Sequence, residues 1–194
     1  IPIVRAMSEI AGSAVVLIAA EYLSSANKGK GIILGGITGV PPTKMVIIGA
    51  GTVAEYCGGA ALSLGAEIQI FDNHIYKLRR IKHTLGHQFY TSTIDTATLS
   101  ESLKNADVVV GALRAEKGRA RHVVSEEMVS QMKPDSLIID LSIDQGGCVA
   151  TSEITTHAKP VFKKYDVIHY CVPNVASRVA HTATTALSLS LIHI

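Results

Sequence analysis

The chain has 194 residues, 47% of them hydrophobic and 18% charged, with a net charge of +2. That suits one α/β domain, or one domain plus a flanking piece, and the scattered basic residues show no preference for nucleic acid. Cys57, Cys148 and Cys171 are an odd set with no closely spaced pair. They point away from a disulfide framework or a zinc site and read as reduced thiols of a cytoplasmic protein.

In chain order, Pro2 suits the first turn of a helix, and Ile3, Met7, Ile10, Ala14, Leu17 and Ala20 recur at helical spacing. The spacing predicts a helix to about Ser25, ended by Asn27-Lys28-Gly29. Its apolar stretch, Ile10 to Leu23, is short for a bilayer span and is flanked by Arg5, Glu9 and Glu21, so no membrane partner is expected. No signal-peptide pattern is seen, and an opening on Ile rather than Met suggests an excised domain. The passage Gly31-Ile32-Ile33-Leu34-Gly35-Gly36 and the breaker Gly39-Val40-Pro41-Pro42 follow.

The segment from Met45 to Asp72 is the most informative in the chain. Met45-Val46-Ile47-Ile48 reads as a strand, Gly49-Ala50-Gly51-Thr52-Val53-Ala54 as a turn into a helix, and Glu67 to Phe71 as a second strand ending at Asp72. Gly49 permits the tight turn, Gly51 lets a pyrophosphate approach bare backbone, and Ala54 lets the helix lie close on the sheet. The helix start presents unpaired N–H groups to phosphates. Asp72, about 20 residues past the glycines, would accept hydrogen bonds from ribose hydroxyls. Because a carboxylate there repels a 2′-phosphate and Asn73 and His74 supply no adjacent arginine, NAD is preferred over NADP. The chain accordingly divides into a linking helix, residues 1–30, and a dinucleotide-binding domain, residues 31–194.

Beyond Asp72 the pattern alternates. A helix is expected over Ile75 to Leu85, whose basic run Lys77, Arg79, Arg80 and Lys82 reads as a solvated face. Next come a short strand at Gln88 to Thr91, a helix at Ala97 to Asn105, a strand at Asp107 to Gly111 and a helix at Glu126 to Met132. Strands at Ser136 to Asp140 and Val167 to Tyr170, and a closing helix from about Ser177, complete the series. Apolar strands separated by helices predict a Rossmann-type, doubly wound parallel sheet covered on both faces.

In such sheets ligands bind beyond the carboxyl ends of the strands. Gly111-Ala112-Leu113, Ile143-Asp144-Gln145-Gly146-Gly147 and Cys171-Val172-Pro173-Asn174 should therefore rim one crevice. Asp144 could orient a reacting group, stabilise a cationic imine or exchange protons through water, although spacing alone favours a capping or turn aspartate. Asp140, ending its strand, reads as structural. Asn174 could bond a nicotinamide carboxamide or form a turn before a helix. The eight histidines have no Ser or Cys partner at a recognisable spacing, and no metal-ligand cluster stands out.

Together these segments resemble the alanine dehydrogenase branch of the alanine dehydrogenase/transhydrogenase family. The resemblance is carried by Ala6-Met7-Ser8-Glu9-Ile10-Ala11-Gly12, Gly39-Val40-Pro41-Pro42, the fingerprint from Gly49 to Asp72, Ile143-Asp144-Gln145-Gly146-Gly147-Cys148, Thr155-Thr156-His157 and His169-Tyr170-Cys171-Val172. It implies oxidative deamination of L-alanine to pyruvate and ammonium with hydride passing to NAD. It also implies a small-molecule substrate and a homo-oligomer when full-length. By the resemblance, Ser8 matches a position near the cofactor, and Asp72 and Lys77 match adenosine-side contacts. Leu113, Val172 and Asn174 match residues around the nicotinamide, and Asp144 matches the aspartate credited with a catalytic role. Two departures stand out: the loop Arg114 to Arg119 replaces the family's Pro-Gly-Ala-Lys run, and Glu153 stands where many members have an arginine. The family's substrate-binding domain, with its carboxylate-binding Arg and Lys, has no match here, so the chain resembles the coenzyme domain alone and should be inactive in isolation.

Overall fold

A computed structural model describes residues 2–114 and 122–192. Its elements are α1 (Pro2–Leu23), β1 (Lys44–Ile48), α2 (Thr52–Ser63), β2 (Glu67–Phe71), α3 (Ile75–Leu85), β3 (Tyr90–Ser92) and α4 (Thr96–Asn105). They continue as β4 (Val108–Gly111), α5 (Glu126–Ser130), β5 (Leu137–Asp140), β6 (Val161–Lys164), β7 (Val167–Tyr170) and α6 (Ala180–Ile192). The strands form one sheet in the order β3-β2-β1-β4-β5-β7-β6, parallel except at β6. β1 pairs on one side with β2 and on the other with β4, so the order of connection reverses between β1 and β4. That reversal opens a crevice beyond the strand ends.

Both faces of the sheet are covered, which is why its central strands read as unbroken apolar runs. Met45, Ile47, Ile68, Ile70, Val108 and Val110 face α1, α2 and α3. Val46, Ile48, Phe71, Val109 and Ile138 face α4 and α5, where Leu99, Leu103 and Val129 are fully buried. Each fully buried aliphatic side chain of this kind contributes about 1.5–3 kcal/mol.

α1 belongs to the same core. Val15, Ala19 and Leu23, four residues apart, are completely buried beneath it. Higher up, α1 crosses the start of α2 so closely that a Cβ on Gly12 would lie 2.5 Å from the Val53 carbonyl oxygen. Only glycine allows that approach, and it carries Ser8 to the mouth of the crevice. The helix is longer than its apolar stretch suggested: at 22 residues its length and hydropathy alone would suit a bilayer span. In the structure its second half is packed on the sheet.

The antiparallel strand β6 departs from the sequence expectation. It joins β7 through Tyr165 and Asp166, with φ of 54° and 58°, a two-residue turn of the type usually built from Asn-Gly. With no glycine to mark the turn and Val161 to Lys164 only half-buried, the hairpin had no sequence signal. Smaller shifts also occur. β3 starts two residues later than the apolar pattern suggested, and α5 stops at Ser130. A 3-10 turn, Val175–Val179, precedes α6.

Candidate functional site

The turn between β1 and α2 is built around the peptide of Ala50. Gly49 has φ of +113°, and a Cβ there would stand 2.6 Å from the Ala112 carbonyl oxygen, so the turn and the loop after β4 touch through bare backbone. Gly51 has ordinary extended φ, and a Cβ on it would meet nothing within 4 Å. The space beside Gly51 therefore opens to the crevice. No side chain caps α2, so its first N–H groups face that space without intrahelical acceptors. Ala54 is fully buried against the sheet.

Asp72 lies under this turn, 3% exposed. Its Oδ2 accepts from the Ala50 N–H at 2.8 Å, and its Oδ1 accepts from the His74 N–H at 2.8 Å and faces His74 Nδ1 at 2.9 Å. Lys77 Nζ stands 3.8 Å from Oδ2. Burial alone would raise the Asp72 carboxyl, but the bonds from His74 and Ala50 and the charge of Lys77 hold it below the usual carboxylate range. Two backbone donors thus fix the carboxylate as an anion.

α3 supplies a feature the composition of its basic run did not reveal. Arg79 and Lys82 are exposed, but Lys77 and Arg80, three residues apart, turn toward the glycine turn. Arg80 Nη2 donates to the Ala50 carbonyl at 3.1 Å. The reading of the run as a solvated face therefore holds for only part of it. One helical turn of spacing was the available signal, and it lacked a direction until α3 was seen to lie beside the turn.

The loop after β5 is organised by Asp140, 1% exposed. Its Oδ1 accepts from the Ser142 N–H at 3.0 Å, and its Oδ2 accepts from the N–H groups of Cys148 and Val149 and from Ser152 Oγ at 2.9, 3.2 and 2.8 Å. Ser142 Oγ in turn donates to the Leu113 carbonyl at 2.8 Å, joining the loops after β4 and β5. In this frame the 3-10 turn Ile143–Gln145 holds Asp144 at the rim. Asp144 is exposed and accepts no hydrogen bond among the described residues.

The far wall follows β7. Val172 is buried, and Asn174 adopts a left-handed backbone, φ 53°, with its carbonyl accepting from Ser177 Oγ at 2.8 Å. His157 Nε2 meets the same Ser177 Oγ at 2.8 Å, a pairing across 20 residues that no local spacing announces. Because the Ser177 proton goes to the Asn174 carbonyl, His157 is the donor in this pair, and the serine is not activated as a nucleophile.

These walls enclose one cleft of about 570 Å³. Ser8, Gly51, Lys77 and Leu113 line it, and so do Asp144, Val172 and Asn174, whereas Gly49, Ala54 and Asp72 do not: Gly49 shapes the turn, and Ala54 and Asp72 are buried behind it. Seven of the ten sequence-selected residues thus converge from both ends of the chain. Tyr76 and Ser142 also line the cleft and escaped the sequence reading; Arg80, read there as part of a solvated face, and Arg114, read there only as the start of the departing loop, line it too. Glu153 is exposed and stands outside the cleft lining. The loop departure noted above falls mostly on residues 115–119, which lie outside the described residues. The cleft pairs open backbone donors and cations at one end with a carboxylate at the other that has no partner among the described residues, an arrangement able to hold an anionic dinucleotide and move a proton beside it.

Comparison with known proteins agrees with this geometry. Residues 15–194 match the model of the family "Alanine dehydrogenase/PNT, C-terminal domain". The alanine dehydrogenase of Mycolicibacterium smegmatis is 38% identical over 190 residues, which are 98% of this chain and 51% of that protein. A solved L-alanine dehydrogenase superimposes with a TM-score of 0.94 at 37% identity, over 97% of this chain and 52% of that one. A transhydrogenase from Sinorhizobium meliloti superimposes with a TM-score of 0.84 at 24% identity, over 98% of this chain and 54% of that one, a likeness of fold. The chain spans about half the length of these relatives.

Proposed function

The chain belongs to the alanine dehydrogenase/PNT C-terminal domain family, and on that premise we propose that it is the NAD-binding half of an alanine dehydrogenase. The complete protein would convert L-alanine, NAD and water to pyruvate, ammonium, NADH and a proton, with the substrate held by a half not present here. The observation that carries this reading is the single cleft in which Gly51, Leu113, Asp144 and Asn174 meet at the carboxyl ends of β1, β4, β5 and β7. Residues 1–30 would serve as the helix linking the two halves, in a cytoplasmic homo-oligomer.

The residues fit a dinucleotide. The void beside Gly51 admits a pyrophosphate against the uncapped start of α2, and the anionic Asp72 accepts from an adenosine ribose beneath it. Lys77 flanks the same ribose. Leu113 and Val172 give the nicotinamide end an apolar wall, and Asn174 can bond its carboxamide; Ser8 closes the side formed by α1. The bound nicotinamide supplies a hydride acceptor. Asp144, at the rim and unpartnered, stabilises positive charge on the substrate-derived imine and passes protons through water as that imine hydrolyses. Its freedom from hydrogen bonds among the described residues is what such a role needs.

Hydride transfer requires both reactants in near-attack geometry, so half of the clamp is not enough. The isolated chain should bind NADH, seen by its fluorescence, and show negligible alanine oxidation. Joined to the substrate-binding half of a relative, it should gain turnover. Asp144→Ala in that assembly should lose turnover about 100-fold or more while NADH binding persists. Robust oxidation by the isolated chain, or full activity without Asp144, would overturn the proposal.

A further inference from the structure

The glycine turn carries no cation of its own, yet a diphosphate bound there brings two negative charges. The helix start offsets only about half a unit of charge. Among the described residues, the basic side chains lining the cleft are Lys77, Arg80 and Arg114. Lys77 faces the Asp72 carboxylate at 3.8 Å and is already engaged in balancing it. Arg114 sits beyond β4, toward Leu113 at the other end of the cleft. Arg80 is different. One guanidinium nitrogen donates to the Ala50 carbonyl at 3.1 Å, its contact with Glu55 is a long 3.8 Å, and half of the side chain remains exposed. A guanidinium has five N–H donors in a rigid fork, so most of them are free to reach an anion in the open space beside Gly51.

The geometry points to Arg80 as the cationic arm of the diphosphate subsite, an inference that rests on the NAD-binding reading. Ala50 is gripped from both sides: Asp72 holds its N–H and Arg80 holds its carbonyl. Arg80 therefore both steadies the turn whose amides face the phosphates and bonds a phosphate oxygen with its unused N–H groups. The ligand class follows from the chemistry: a nucleotide bearing two linked phosphates, rather than a nucleoside.

The test is calorimetric titration of the whole chain with NADH, ADP and adenosine, using wild type, Arg80→Met, Arg80→Lys and Arg79→Met. Arg80→Met should bind NADH and ADP about ten- to a hundredfold more weakly, the range for a charged hydrogen bond, and adenosine unchanged. It should also show a weaker salt dependence, because one ion contact is gone. Arg80→Lys, retaining the charge without the fork, should fall between, and Arg79→Met, exposed on the same helix, should match wild type. Because Arg80 is half exposed, its methionine variant should keep the wild-type circular dichroism spectrum. An Arg80→Met chain that binds NADH within about twofold of wild type would overturn the role of Arg80 alone. A wild-type chain that binds neither NADH nor ADP would overturn the NAD-binding reading with it.

Discussion

The Ala50 N–H donates to Asp72 Oδ2 at 2.8 Å across 22 residues of sequence, tying the turn after β1 to the end of β2. One carboxylate thus shapes the glycine turn and, on the proposed reading, serves the cofactor's ribose, so its removal should damage both folding and binding. Asp72→Asn should lower stability by about 1–3 kcal/mol, the cost of leaving a buried donor poorly paired. The Asp72 carboxyl is held below its unfolded value, so its contribution is present above about pH 4 and is lost as pH falls further. Urea melts at neutral and acidic pH should show the two proteins converging as pH drops below that value. A gap that stays constant with pH would mean the carboxylate charge contributes nothing.

Two glycines in one turn should separate folding from binding. At Gly49 the positive φ and the approach of the Ala112 carbonyl leave no room for a methyl group, so Gly49→Ala should cost about 1–3 kcal/mol or more and lower the melting temperature. At Gly51 the backbone is ordinary and the added Cβ meets open space, so Gly51→Ala should melt like wild type. On the proposed reading that methyl would project into the pyrophosphate's place, and NADH affinity should fall at least about tenfold. Thermal melts and NADH fluorescence titrations of the two variants check this directly. A Gly51→Ala chain with wild-type affinity would place the phosphates elsewhere.

Much of this was legible because each step is local. The strand at Glu67 to Phe71 and the helix at Ile75 to Leu85 fall where periodicity and Asp72 put them, and Gly86 ends that helix in a left-handed turn. The residues at strand mouths could be chosen because a parallel sheet delivers them to one edge. What stayed hidden depends on contacts between distant segments. Arg80 became part of the site only when α3 lay beside the turn of Ala50. Asp140 looked like a strand end, and its acceptance of bonds from Ser142, Cys148, Val149 and Ser152 is invisible to spacing. β6 was missed because its turn uses Tyr165 and Asp166 where Asn and Gly would have signalled it.

At the opposite edge of the sheet, Asp107 should be a stability site unrelated to binding. It is 6% exposed and accepts from Lys30 Nζ at 2.6 Å, Lys133 Nζ at 3.1 Å and the Lys44 N–H at 3.0 Å. It therefore fastens the segment after α1 to β1 and to the loop before β5. Removing it leaves a buried N–H unpaired and two lysines facing each other, so Asp107→Ala should cost about 3–5 kcal/mol. Lys30→Met, which leaves Lys133 in place, should cost only about 1 kcal/mol because the lysine is partly exposed. Urea denaturation measures both. NADH affinity of the folded fraction should be unchanged, since Asp107 lies at the amino end of β4, away from the cleft.

His169 should give the folded protein an acid sensitivity that carboxylates cannot explain. The ring is fully buried and stacked on Phe162 at 4.8 Å, with Nδ1 3.0 Å from the Val167 carbonyl and Nε2 2.8 Å from Thr151 Oγ1. A carbonyl can only accept, so Nδ1 carries the proton and Nε2 accepts from the Thr151 hydroxyl. A second proton would break that bond and bury a charge in apolar surroundings. Burial therefore pushes the imidazole below its ordinary value, with nearby Lys164 acting in the same direction and the Val167 carbonyl, Asp140 and Glu153 opposing them. Unfolded chains take up the extra proton near pH 6.5, so this contribution is complete above about that value and declines as pH falls, by about 1.4 kcal/mol for each unit of depression. Between about pH 7.5 and 5 the urea midpoint of wild type should fall more steeply than that of His169→Gln, which has no proton to gain. Parallel slopes would show that the ring already titrates freely in the folded protein.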